Sequence, residues 1–378
     1  MEAYNSQVDK LTLLVQKHLS GAQYVRRGDF LSFEFHQILT DFEILRKEFE
    51  NEGFYPFLRK EKGKNICILV RKKEIEPAKK SLLIVLFFLT FLTTTWAGYF
   101  YSFGLVKEGY IQNIWVGAFS FSFGLLLVLG SHEFGHKFIS IKNEVPANGP
   151  YFIPVPPFIL PLGTLGAIIK IRSPMPDKNA QVRLGVAGPL TGTFFSIIVL
   201  LIGLKLSFPV ETVQMEEEAL LISFGESLLF KILTFITLKV PADTNLFLHP
   251  LAFAGWVGLF VTFLNLIPVG QLDGGHIARA VLGARNHHRL SFFTCGFMCM
   301  FGLLGLVSLE QLIPGFEALP IWPGWLFWGI LGFFLSSTGN PGAMNELQPL
   351  GKQEKILALV TAIIFLLTFM PVPIKMGL

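Results

Sequence analysis

Charge is what this chain is short of. Only 15% of its 378 residues are Asp, Glu, Lys or Arg, against about 25% in an ordinary soluble domain. The hydrophobic class makes up 52%, and the mean hydropathy is +0.54. Apolar runs of about 20 residues, each long enough to cross hydrocarbon, recur along most of the sequence and exclude a wholly soluble fold. Cysteine is scarce as well. Cys67, Cys295 and Cys299 cannot build a disulfide framework, and the last two share an apolar run without forming a Cys-x-x-Cys pair, which argues against redox chemistry. The net charge of +4 is small and sits beside apolar runs, where membrane topology explains it, so nucleic acid is not an expected partner. No signal or transit peptide is visible. The expected location is therefore a bacterial cytoplasmic (inner) membrane, with the lipid bilayer as a partner.

Long apolar runs are missing from the first 80 residues, where the longest spans 66–70. Alternation over 31–35 predicts a strand. Phe42, Ile44, Leu45 and Phe49 at helical spacing predict a helix over 40–52, and 54–58 and 65–70 read as further strands. These make a small soluble α+β domain over residues 1–78. Arg71, Lys72, Lys73, Lys79 and Lys80 precede the first apolar run and place that domain on the inner side of the membrane. Residues 79–378 form the transmembrane domain, with spanning candidates at 82–101, 114–139, 184–206, 251–267, 292–309, 321–337 and 356–370. The basic residues between them fall on inner loops, and Glu216, Glu217 and Glu218 fall outside. Residues 220–240 are apolar but interrupted by Gly225, Glu226, Ser227 and Lys231, and read as an interfacial or re-entrant helix. His287 and His288, beside Arg285 and Arg289, read as a solvated inner loop. The expected fold is a polytopic α-helical membrane protein of six to seven spans, with a membrane-associated strand or re-entrant loop.

One cluster carries chemistry. His132-Glu133-Phe134-Gly135-His136 matches H-E-x-x-H at the inner end of the second run. Residues four apart share a helix face, so both imidazoles can reach one ion while Glu133 reaches a water on it. The bland alternative, a pair of interhelical hydrogen bonders, is costly because ionisable groups at membrane depth are expensive. Catalytic zinc takes three protein ligands and an open position, so a third must come from elsewhere. Asp273, in Asn265-Leu266-Ile267-Pro268-Val269-Gly270-Gln271-Leu272-Asp273-Gly274-Gly275-His276, lies on the same inner side, where glycine and proline let the backbone bend around a cavity. Asp273 could instead cap a helix starting at Gly274, and His276 is a competing ligand or a partner that orients Asp273.

These two motifs resemble the site-2 protease family of intramembrane zinc metalloproteases, over about residue 82 to the C-terminus. The resemblance implies an active site of His132, Glu133, His136 and Asp273, with Zn²⁺ as cofactor. It also implies a role for Asn265 as donor to the developing oxyanion or to substrate backbone; an interhelical hydrogen bond is the alternative. Gly188-Pro189-Leu190-Thr191-Gly192 is similar to the family's small-residue motif, with Gly192 where Asn or Ser is common. The stretch from Gly163 through Ile171 is similar to its membrane-associated strand. The soluble N-terminal domain, Phe224-Gly225-Glu226-Ser227 and His249-Pro250 most resemble the cyanobacterial, bacterial and plastid branch.

The expected activity is a zinc metalloendopeptidase cutting peptide bonds within or near transmembrane segments, as in regulated intramembrane proteolysis. Glu133 acts as the base. Gly166, Ala167, Ile168 and Ile169 offer a strand edge to unwound substrate; a proline-rich interfacial loop without a substrate role is the alternative. Expected partners are transmembrane protein substrates and a regulatory partner at residues 1–75. Two other readings compete: an ion or metal transporter, disfavoured because the ionisable residues cluster at one depth, and a catalytically silent scaffold, disfavoured by the intact Glu133.

Overall fold

The computed structural model describes residues 2–27, 30–73, 76–210, 222–240, 245–306 and 321–376. Its N-terminal part has helices α1 (Glu2–His18) and α2 (Phe42–Asn51) and strands β1 (Gln23–Arg27), β2 (Phe30–Phe35), β3 (Phe54–Glu61) and β4 (Lys64–Arg71). The strands form one antiparallel sheet in the order β1-β2-β4-β3. Its register follows from local chemistry. Lys62 and Gly63 both take positive φ, the conformation of a two-residue hairpin whose twist matches that of its strands, and Glu61 pairs with Lys64. Asp41 caps α2 by accepting from the Glu43 amide at 2.7 Å, which satisfies a donor at the helix start. Leu11 and Val15 of α1 and Leu45 and Phe49 of α2 bury against Phe33, Leu58, Cys67 and Leu69 of the sheet. The strand and helix expectations agree with this arrangement; α1 and β1 were not anticipated, although Val8, Leu11, Leu14 and Val15 recur at helical spacing within α1.

Among the described residues, four helices are long and apolar enough to cross a membrane: α3 (Lys80–Lys107), α4 (Ile114–Lys142), α5 (Lys178–Lys205) and α8 (Asp273–Leu306). The last is broken at Gly283, whose φ of 76° is not helical. The described residues also form the shorter helices α6 (Leu228–Leu238), α7 (Pro250–Leu266), α9 (Gly324–Ser337) and α10 (Lys352–Thr368). The 11 residues of α6 rise only about 16 Å at 1.5 Å each, about half the hydrocarbon thickness. Starts are capped where the sequence supplies an acceptor: Asn113 caps α4 and Asp177 caps α5, and Pro250 opens α7, where its missing N–H costs nothing.

α4, α5 and α7 share the main core, with Phe121, Leu125, Val128, Leu200, Leu204, Ala252, Trp256, Val257 and Leu259 all buried. Large apolar side chains such as Phe88, Phe100, Phe123 and Phe194 face outward, each more than half exposed, as expected where the surrounding solvent is hydrocarbon. Between α4 and α5, β5 (Ala147–Pro154) and β6 (Thr164–Ile171) form an antiparallel hairpin. Its second strand covers the strand expected in sequence; its first was not foreseen, since prolines and glycines punctuate it. The expected solvated loop at His287 is instead helical, and His287 is buried with its Nε2 3.2 Å from Ser291 Oγ. The acidic run at 216–218 lies outside the described residues.

Candidate metal centre

Helix periodicity puts His132 and His136 one turn apart on the buried face of α4. Their Nε2 atoms are 3.1 Å apart. Asp273, the first residue of α8, lies opposite: its Oδ2 is 3.1 Å from His132 Nε2 and its Oδ1 is 3.3 Å from His136 Nε2. The helix does begin at Asp273, yet the carboxylate turns toward the imidazoles. Two imidazole nitrogens and the two oxygens of one carboxylate thus converge, which calls for positive charge at the centre. Tetrahedral zinc with bonds of about 2.0–2.1 Å would hold its ligand atoms about 3.3 Å apart, and the separation of the two imidazole nitrogens and the approach of each to one Asp273 oxygen are near that value. The donor set of two imidazoles and one carboxylate is one that zinc takes in catalytic sites, and it leaves the fourth position open.

The surroundings prepare these ligands. His136 Nδ1 lies 2.9 Å from the carbonyl oxygen of Leu184 on α5. Donation there fixes the tautomer that leaves Nε2 free to ligate. α5 can approach this closely because Gly188 faces the His136 ring, where a Cβ would collide with the imidazole. Gly192, one turn on, faces His132 in the same way, so the Gly-Pro-Leu-Thr-Gly stretch makes room for the imidazoles. The loop before Asp273 is pinned from behind: Ser291 Oγ donates to the Pro268 carbonyl at 3.2 Å and accepts from the Gly270 amide at 3.3 Å.

Glu133 is buried beside this group, with the backbone N–H of Ile169 near its carboxylate. Asn265, on α7, brings Nδ2 to 3.4 Å from His132 Nε2. His276 does not join the three converging residues; its Nδ1 lies 3.4 Å from Asn340 Nδ2. Of the strand residues, Ile169 reaches Glu133. Ala167 and Ile168 pair with Phe152 and Tyr151, and the Gly166 amide donates to Thr164 Oγ1. Sequence reading missed the Leu184 carbonyl, a backbone group that carries no residue-type signal, and Asn340, which sits in a turn far from both motifs.

The chain is similar to "Probable zinc metalloprotease EGY1, chloroplastic" of Arabidopsis thaliana, at 32% identity over 257 residues, covering 68% of this chain and 43% of that one. It is similar to "Probable zinc metalloprotease EGY2, chloroplastic" of the same plant at 27% identity over 358 residues, covering 88% and 58%. It therefore spans about half the length of these curated relatives. Among solved structures, "Site-2 Protease from Methanocaldococcus jannaschii" aligns at 17% identity with a TM-score of 0.32, over 68% of this chain and 92% of that one. Residues 120–309, just over half of the chain, match the model of peptidase family M50; that interval holds both imidazoles, Glu133, Asn265 and Asp273, and the chain belongs to that family.

Proposed function

We propose that the chain is an intramembrane zinc metalloendopeptidase that hydrolyses peptide bonds within or near the transmembrane segments of other proteins. The observation that carries this reading is the convergence of His132, His136 and Asp273, with nitrogen–nitrogen and nitrogen–oxygen separations of 3.1 to 3.3 Å and the Glu133 carboxylate beside them. Zinc, when bound, supplies Lewis acidity, polarising a carbonyl and making water easier to deprotonate near neutral pH. Glu133 takes the proton of the attacking water and hands it to the leaving amine. The Leu184 carbonyl holds His136 in orientation through Nδ1, so the ring cannot turn away during the reaction. Asn265 donates from Nδ2 to the oxyanion or to substrate backbone.

A peptide bond in a spanning helix is closed off by its own hydrogen bonds, so the substrate is drawn out and added to the edge of β6 at Gly166, Ala167, Ile168 and Ile169. Two facts support this. Among the described residues β6 pairs only with β5, and the Ile169 amide points at Glu133, so an added strand lies along the catalytic carboxylate. The substrates are membrane proteins whose cleavage releases a soluble part.

Residues 1–78 form a soluble α+β domain that binds a regulatory partner, and 79–378 form the protease domain. Counting α7, α9 and α10 beside the four long helices gives seven crossings, the upper of the six to seven expected, and returns residues 338–347 to the side of the N-terminal sheet. Arg71, Lys72, Lys73, Lys79 and Lys80 before α3 support an inner N-terminus. The relatives above are chloroplastic by name and give no support to the bacterial inner membrane expected from sequence; an integral membrane protein is the statement that stands.

Bound metal and cleavage of a model transmembrane substrate, with wild type and Glu133→Gln in parallel, test the reading. Zinc near one per chain in both, with cleavage lowered about 10²–10⁴-fold in the variant, is the expected result. Bound zinc without cleavage by either protein, across several substrates, would favour a silent scaffold, and no bound metal would sink the proposal.

A further inference from the structure

Residues 338–347 run between α9 and α10 and grip two parts of the molecule at once. On one side they hold the loop and helix start that carry Asp273. Gln271 Nε2 donates to Thr338 Oγ1 at 3.1 Å and to the Gly339 carbonyl at 2.9 Å. Asn340 Nδ2 donates to the Gly270 carbonyl at 3.1 Å and lies 3.4 Å from His276 Nδ1. On the other side they add to the exposed edge of β3. The Leu58 amide donates to the Met344 carbonyl at 2.7 Å and the Glu346 amide donates to the Leu58 carbonyl at 3.1 Å. The Met344 side chain is fully buried against Tyr55 and Phe57.

Between the two grips sits a cluster of charges. Glu346 Oε1 accepts from Arg279 Nε at 3.0 Å and from its Nη2 at 2.9 Å, and Glu346 Oε2 lies 3.5 Å from Arg59 Nε. Arg59 also donates to the carbonyls of Met344 and Pro341. All three side chains are at most 14% exposed. Burial pulls Arg59 down to about 10, which leaves it a cation at neutral pH. Gly342, at φ +73°, is the only residue type that fits under this cluster, since a Cβ there would collide with the Glu346 carboxylate and crowd Arg279. Taking three charges out of water is costly and poor evidence of stabilisation by itself; what such a cluster can supply is a fixed position.

A fixed position matters here because of the break at Gly283. It parts residues 273–282 of α8 from the long membrane-embedded remainder, so the orientation of the piece bearing Asp273 depends on what grips it. Arg279 lies six residues beyond Asp273 on that piece. We propose that Asn340 and Glu346 are positioning residues for the ligand Asp273, and that the 338–347 segment couples the N-terminal sheet to the metal centre. The inference rests on the metallopeptidase reading given above.

The test measures zinc affinity by chelator competition, and the visible spectrum of the Co²⁺-substituted full chain in lipid nanodiscs. Asn340→Ala, Glu346→Gln and Arg59→Met should each weaken zinc binding, about 10–100-fold for Asn340→Ala, and should shift the Co²⁺ bands. Arg59→Lys should restore most of the affinity. Lys47→Ala, which removes the exposed 3.0 Å contact of α2 with Glu144 on a path that does not touch residues 338–347, should leave both readouts unchanged. Asn340→Ala disturbs no buried charge, so it remains informative if a charge variant does not fold. Folded variants with wild-type affinity and spectrum would overturn the inference alone. Wild type that takes up no metal would overturn the metallopeptidase reading and the inference with it.

Discussion

Two regions of this protein bury histidine, and they do so for opposite ends. In the N-terminal sheet region, His18 is fully buried between α1 and α2, with Nδ1 2.7 Å from Thr40 Oγ1 and Nε2 2.9 Å from Glu48 Oε2. Lys17 closes the arrangement at 2.7 Å from Glu48. Each ring nitrogen has its own protein partner, so the valence is closed and the ring ties two helices together. In the membrane helices, His136 commits Nδ1 to the Leu184 carbonyl and shares the Asp273 carboxylate with His132 through Nε2. The Nε2 atoms of both rings turn toward each other and toward Asp273. An open, converging set of lone pairs is what a metal needs. Burial of a histidine therefore says little about function; whether several ring nitrogens and a carboxylate converge on one point says much more.

The sharpest break of that contrast is removal of a ligand. His136→Ala or Asp273→Ala should abolish stoichiometric zinc and cleavage, measured by elemental analysis and substrate processing, whereas His18→Ala should leave zinc at the wild-type level. Next in size is Gly188→Ala, which drives a methyl group into the His136 ring; zinc affinity should fall about 10–100-fold with the helices intact by circular dichroism. Smaller, and confined to the other cluster, is the structural cost of His18→Ala. Leaving Thr40 and Glu48 without their partner should destabilise the N-terminal sheet by about 1–3 kcal/mol, read as faster amide exchange in α1 and α2. Acid sharpens the same point. Lys17, then His18, hold Glu48 below its ordinary value near 4.5. A depressed carboxylate contributes stability above its unfolded value and loses it as pH falls through the folded one, so the N-terminal region should weaken below about pH 4.5, and Glu48→Gln should flatten that acid limb. The smallest effect is an absence of reaction: burial pushes the Cys67 thiol up to about 12, so maleimide should label it only when the sheet unfolds.

Legibility in the sequence followed the range of the interaction. His132, Glu133 and His136 were readable because helix periodicity alone brings residues four apart together, and Asp273 because glycine and proline around a lone acid mark bent backbone at membrane depth. β2, α2, β3 and β4 were readable from alternation and a 3.6-residue period. α1 was not read, although Val8, Leu11, Leu14 and Val15 recur at helical spacing. His287 looked solvated beside its basic neighbours, yet the helix buries it against Ser291; flanking charge reports the surroundings of a segment and not the face a residue takes within it. β5 was hidden by its prolines and glycines, although these are compatible with the edge of a two-stranded hairpin.

The sequence by itself determined the solvent, the helical class, and the half of the metal centre that one helix can build. These depend on composition and on spacings of a few residues, where chain geometry leaves little choice. The tertiary structure alone decided that the Asp273 carboxylate, 141 residues from His132, and not the competing His276 meets both imidazoles, and that the Leu184 carbonyl orients His136. It also decided that residues 338–347 reach both the N-terminal sheet and the helix start of α8. Each of these joins elements distant in sequence, and such contacts are set by how whole helices pack, which no local pattern encodes.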